Sequence, residues 1–260
     1  MPRLPRRRAL LLCYALALSP AHALADANAL SVSYETAPAE LRELAQQAQE
    51  NQVLEGWRSE IEQLLPEQGL TLALVMRSCD EANAFYDTEE KSIVYCYEEL
   101  QDTQTNFQQL EGQEQDQLNP KETQLFASGW RDFVFYHELG HALIDQLEIP
   151  MLGREEDVAD QISTYIWVHR EDSEAILNGA IYTFSAQDDE VDHETLADVH
   201  SLNAQRYYNL MCWVYGADSE RYSEAGEQLP DERREGCEYE YWQLQNAIEQ
   251  LLPDMFSQEA

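Results

Sequence analysis

The stretch Phe133–Ile144, FVFYHELGHALI, sets two of the chain's six histidines four residues apart, with Glu138 directly after the first. Trp130, Phe133, Val134 and Ile144 recur at helical spacing, so the segment predicts a helix whose apolar stripe carries His137 and His141 inward. Residues four apart on a helix share a face with Cβ atoms roughly 5–6 Å apart, a workable bite for two imidazoles on one divalent ion. Glu138 precedes His141 by three positions and lies near the same face, within reach of a water on such an ion. Gly140 costs a helix about 1 kcal/mol relative to Ala, which makes sense if another segment must come close to the backbone there. The bland alternative is a pair of buried, hydrogen-bonded histidines, and the stretch by itself leaves both open.

A catalytic zinc site takes three protein ligands and keeps one position for water. The extended metzincin pattern needs Gly at position 144 and His at 147, and Ile144 and Leu147 exclude it. After the break IPMLG (149–153) comes REEDVADQISTYIW (154–167). Pro150 and Gly153 allow a reversal, so a second helix can run back past the first, packed down by Val158, Ile162, Tyr165 and Ile166. Glu156 and Asp160 share one face of it. H-E-x-x-H followed by E-x-x-x-D resembles the gluzincin group of zinc peptidases, the thermolysin- and neprilysin-type enzymes. That resemblance implies Glu156 as third zinc ligand, Asp160 as the residue that orients a zinc-binding histidine, and Glu138 as the base that takes a proton from water. For Glu156 to reach, the first helix must end early; otherwise Asp160 is the ligand. A solvated acidic helix start, favoured by the helix dipole, is the plain alternative for the acidic run.

Two further segments bear on the site. NAFYDTEEKSIVYC (83–96) resembles the edge strand that precedes the zinc helix in neprilysin-like enzymes, which implies that Asn83 and Ala84 hold substrate backbone; an ordinary hairpin is the competing reading. DVHSLNAQRYYNLMCWVYG (198–216) carries His200 and Arg206, either of which would stabilise a developing oxyanion if it faced the cleft. Taken whole, from about Leu70 to Gly216, the chain is similar to a bacterial family of exported putative metallopeptidases.

Outside this region the chain opens MPRLPRRRALLLCYALALSPAHALA, with the charged, apolar and small-residue layout of a secretory leader cleaved after Ala23 or Ala25. Its apolar run is too short to span a bilayer. Removal of 1–25 takes Cys13 and leaves Cys79, Cys96, Cys212 and Cys237, an even set that reads as two disulfides with three connectivities open. Sequence-local pairing, 79 with 96 and 212 with 237, is preferred because each pair brackets one polar segment. The formal charge of −34, from 50 acidic against 16 basic residues, argues against nucleic acid or an anionic membrane surface as partner.

Residues 26–260 are expected to form one zincin-like α+β domain, mostly helical with a small antiparallel or mixed sheet. Its expected parts are N-terminal helices over 26–68, a small sheet and a polar, Gln-rich segment over 69–120, and a helical half over 121–260. Leu70–Cys79 reads as a buried strand, Ala84–Tyr86 and Ser92–Tyr97 as a hairpin, and the helical half begins near Thr123. The expected protein is periplasmic or secreted, uses zinc and acts on peptide or protein. A zinc-binding envelope adaptor without activity and a hydrolase of cell-wall amides are the competing classes.

Overall fold

The computed structural model describes residues 28–66, 69–110, 118–186 and 191–253. The expected leader and residues 111–117 of the Gln-rich segment lie outside the described residues. The chain enters through a strand, β1 (Ala29–Tyr34), not through the helices expected from 26 onward. ALSVSY alternates apolar and polar, so Leu30, Val32 and Tyr34 pack on the core from one face. Six residues of alternation are a weak signal, and the partner strand lies some forty residues further on. Helices α1 (Arg42–Glu50) and α2 (Val53–Leu64) follow, then β2 (Thr71–Arg77), whose Leu72, Leu74 and Met76 are buried.

The hairpin is formed by β3 (Ala84–Asp87) and β4 (Ser92–Cys96). Its turn is held by the Asp87 carboxylate, which accepts from the N–H groups of Glu89 and Glu90 at 2.8 Å. The strands form one mixed sheet in the order β1-β2-β4-β3. β1, β2 and β4 run parallel, and β3 pairs antiparallel with β4, leaving β3 on an edge. β4 is buried along its whole length, as expected of a strand covered on both faces.

Then come α3 (Tyr97–Leu110) and the long α4 (Pro120–Gln146). α4 starts three residues before Thr123 because Asn119 caps it. The Asn119 side chain accepts from the N–H of Lys121 and Glu122, and the Glu122 carboxylate accepts from the Asn119 N–H. Pro120 at the first helical position gives up no needed donor. The remaining elements are α5 (Glu155–Trp167), α6 (Ser173–Ala186), α7 (His193–Ala197), α8 (Asn203–Ala217), α9 (Ser223–Glu227), α10 (Asp231–Arg234) and α11 (Cys237–Leu251).

α4 is the axis on which the halves meet. Phe135 on α4 stacks on Trp57 of α2 with ring centroids 4.2 Å apart, and Trp57 also meets Tyr95 of β4. On its other flank α6 presses against it where two glycines face each other. A Cβ on Gly129 would lie 1.9 Å from the carbonyl oxygen of Ala175, and one on Gly179 would lie 2.3 Å from the nitrogen of Trp130. Disulfides join Cys79 to Cys96 beside the hairpin, and Cys212 of α8 to Cys237 of α11.

Candidate metal centre

His137, Glu138 and His141 all sit on the middle of α4, and α5 crosses them closely. The close approach anticipated at Gly140 is that of α5: a Cβ on Gly140 would lie 3.0 Å from both Cα and O of Ala159. α4 runs on past His141 to Gln146, yet the carboxylate of Glu156 still reaches both imidazoles. The reversal is made in the linker, where Glu148 takes a left-handed φ of 50° and the Ile149 N–H caps back onto Ile144 O at 3.0 Å. A late end to α4 therefore does not keep the Glu156 carboxylate from the two imidazoles.

Three imidazoles point at one oxygen. Nε2 of His137, His141 and His200 lie 3.0, 3.1 and 3.0 Å from Oε2 of Glu156, and the first two are 3.2 Å from each other. His137, Glu156 and His200 offer ligand atoms that are all within 4.8 Å of one another. Each imidazole is held from behind at Nδ1 by a different carboxylate: His137 by Asp160 at 2.8 Å, His141 by Glu155 at 3.0 Å, His200 by Asp198 at 3.1 Å. A neutral imidazole donates from one nitrogen and accepts at the other. With Nδ1–H spent on a carboxylate, each Nε2 turns a lone pair toward an oxygen that has only lone pairs to offer. The arrangement is stable only with positive charge inside it, as extra protons or as a cation. Tetrahedral ligands at roughly 2.0–2.1 Å from a zinc ion stand about 3.3–3.4 Å apart, close to the spacings found here. The donor set fits a divalent ion.

The electrostatics run the same way. Burial raises the Glu156 carboxyl, but hydrogen bonds from His137, His141 and His200 outweigh it and hold the group far below the ordinary carboxylate range. Burial opposes charge on His137, yet the bonds to Asp160 and Glu156 push it up to about 9. Burial also raises Asp160, and the Arg206 guanidinium with the His137 bond more than reverses that.

Arg206 is not in the cleft. Its Nε and Nη2 each donate at 2.8 Å to the Asp160 carboxylate, and its guanidinium lies over the Phe184 ring at 4.6 Å. Glu138 is 8 % exposed, and its Oε2 accepts from the backbone N–H of Tyr86 on β3 at 2.8 Å. Burial pushes its carboxyl up, and charge on His137 and His141 offsets this only in part. A cleft of about 720 Å³ opens over the site, walled by Asn83–Tyr86 of the edge strand on one side and by Arg154–Glu156 and Asp198–His200 on the other.

Residues 34–252 match the family described as "Putative metallopeptidase" (DUF4344). The chain belongs to that family. No curated protein and no solved structure matches it. Among the described residues no helix is long and apolar enough to cross a membrane, and the two bonded cysteine pairs suit an extracytoplasmic member of the family.

Sequence reading missed Glu155 and Asp198 as anchors of His141 and His200, and the Tyr86 N–H as anchor of Glu138. For Asp198 the only signal is its place two residues before His200. Glu155 is hidden in an acidic run, and a backbone donor leaves no trace in residue identity.

Proposed function

We propose that this chain is a zinc-dependent peptidase that holds its ion with His137, His141 and Glu156. The observation that carries the reading is the convergence of imidazole nitrogens on Glu156 directly beside a buried carboxyl, Glu138, at the floor of a cleft edged by a strand. Bound zinc supplies a Lewis acid that makes water a nucleophile near neutral pH and polarises a carbonyl oxygen. Glu138 takes the proton of the attacking water and returns it to the departing amine; a carboxyl raised by burial is suited to both. The Tyr86 N–H fixes one of its oxygens and leaves the other to the proton. Asp160, clamped by Arg206, keeps the His137 proton on Nδ1 and its lone pair on Nε2. His200, anchored at Nδ1 by Asp198 and raised by its carboxylate neighbours, would donate from Nε2 as an imidazolium to the oxygen that gains charge.

The edge strand suits an extended substrate. The Cys96 N–H bonds to Asn83 O, so by antiparallel alternation Phe85 faces β4 while the backbone groups of Ala84 and Tyr86 face outward. Glu138 takes the Tyr86 N–H. The N–H and C=O of Ala84 remain for a peptide backbone, with Asn83 beside them in the cleft wall.

A second reading rests on His200, whose Nε2 stands as near to Glu156 as that of His137. With His200 as a fourth ligand the site is closed, the form structural zinc takes, and the protein is a binder. Zinc content and cleavage of a denatured-protein mixture, wild type against Glu138→Gln, separate the two. The peptidase reading expects zinc retained and cleavage reduced about 10²- to 10⁴-fold. Zinc retained with equal cleavage leaves the binder.

A further inference from the structure

Among the described residues, eight of the twelve Lys and Arg side chains lie within ion-pair distance of a carboxylate. In the cleft wall one does not. Arg154, the residue before α5, is exposed and lines the cleft. Among the described residues its guanidinium makes one hydrogen bond, from Nη1 to the backbone oxygen of His200 at 3.3 Å, and no ion pair.

The carboxylates around it are committed elsewhere. Glu155 holds His141, Glu156 meets three imidazoles, Asp198 holds His200, and Asp157 accepts from the Ser201 hydroxyl at 2.7 Å. Arg154 therefore keeps most of a planar donor fork free at the lining of the cleft. Its guanidinium is one histidine away from the converging nitrogens.

Resting on the peptidase reading, we propose that Arg154 reads a carboxylate on the substrate, a C-terminal carboxylate or an acidic side chain near the scissile bond. A guanidinium pairs with a carboxylate in bidentate fashion, and an amide of the same shape cannot reproduce both the charge and the geometry. The surrounding wall is anionic, with Glu138, Glu155, Glu156 and Asp198. A long-range field from that wall would not draw acidic peptides in; Arg154 acts at contact distance. The chain thereby selects peptides with one well-placed carboxylate over those without, and does not favour polyacidic ones.

The test uses three hexapeptide mixtures of the same random sequence: free acid without Glu or Asp, C-terminal amide without Glu or Asp, and C-terminal amide with Glu included. The zinc-loaded full chain is assayed for cleavage, and its Glu138→Gln form for retention of intact peptides by mass spectrometry. The free acid or the Glu-containing mixture should be preferred over the neutral amide by roughly 2- to 5-fold, a modest factor because Arg154 is exposed and screened. Which of the two is preferred identifies the source of the carboxylate. Arg154→Gln keeps a donor for the His200 carbonyl but no charge, and should erase the preference with zinc content and thermal midpoint unchanged. Arg154→Lys should keep part of it.

Equal handling of the three mixtures by wild type, or a preference that survives Arg154→Gln, overturns the proposal. So does a uniform loss on all three mixtures in both variants, which makes Arg154 a staple for the His200 loop. Preferential retention without any cleavage sinks the peptidase reading and leaves Arg154 its role. Neither retention nor cleavage sinks both.

Discussion

Replacing Asp160 with Asn tests what stands behind His137 while leaving every proposed ligand in place. Asp160 is 5 % exposed and serves two donors at once, the Nδ1–H of His137 and the fork of Arg206. An amide has the same shape, but one of its two heads is an N–H₂. Turned either way, it sets donor against donor at His137 or at Arg206. The substitution also strands the Arg206 cation, whose side chain is only 13 % exposed. Breaking a buried pair from one side costs about 3–5 kcal/mol, which for a chain of this size lowers the thermal midpoint by roughly 6–20 °C. Loss of a carboxylate behind a metal-binding imidazole weakens metal affinity about 10- to 100-fold.

Thermal unfolding and zinc competition against a chromophoric chelator read the two effects separately. The double variant Asp160→Asn, Arg206→Met removes the stranded cation and puts an apolar side chain beside Phe184. It should regain much of the stability but none of the zinc affinity. A single variant within 1 kcal/mol of wild type and with unchanged zinc affinity would refute the claim that Asp160 holds His137 for an ion.

Gly140→Ala places a methyl 3.0 Å from the Cα and O of Ala159, so the α5 backbone there must give by a few tenths of an ångström. The overpacking cost of about 1–3 kcal/mol is offset by about 1 kcal/mol of helix propensity, so stability should fall by no more than about 2 kcal/mol while zinc affinity falls because Glu156 moves on the same helix; chemical denaturation and chelator competition check both. Glu98 ties the chain after β2 through Ser78 Oγ and the N–H groups of Cys79 and Asp80. Burial raises its carboxyl, but those hydrogen bonds win and lower it. A lowered carboxyl contributes stability above its unfolded value of about 4.3, and loses it as pH falls through the folded value. Glu98→Ala should thus cost about 1–3 kcal/mol at pH 7 and much less at pH 3, read as the difference in urea midpoint at the two pH values.

The local parts of this structure were written locally. The helix carrying His137, Glu138 and His141 follows from its apolar period, and the β3–β4 hairpin from two short β-rich runs around a polar turn. The small mixed sheet inside a mostly helical chain agrees with the α+β reading. β1 escaped notice because a six-residue strand that pairs in parallel declares itself only through a partner far along the chain. The late end of α4 was misjudged for a related reason: the reach of Glu156 depends on a left-handed residue at Glu148, a position where residue type gives little warning.

The sequence by itself determined which side chains are available to an ion, since helical spacing puts two imidazoles on one face whatever the rest of the protein does. Only the tertiary structure decided what stands behind and around them. Glu155, Asp160 and Asp198 each back a different histidine, Arg206 turns from the cleft to Asp160, and the Tyr86 backbone holds Glu138. Those contacts join segments 14 to 52 residues apart, apart from Asp198 beside His200. Short-range periodicity carries no information about which of many acidic residues will meet which base. The packing of α5 and the edge strand against α4 supplies it.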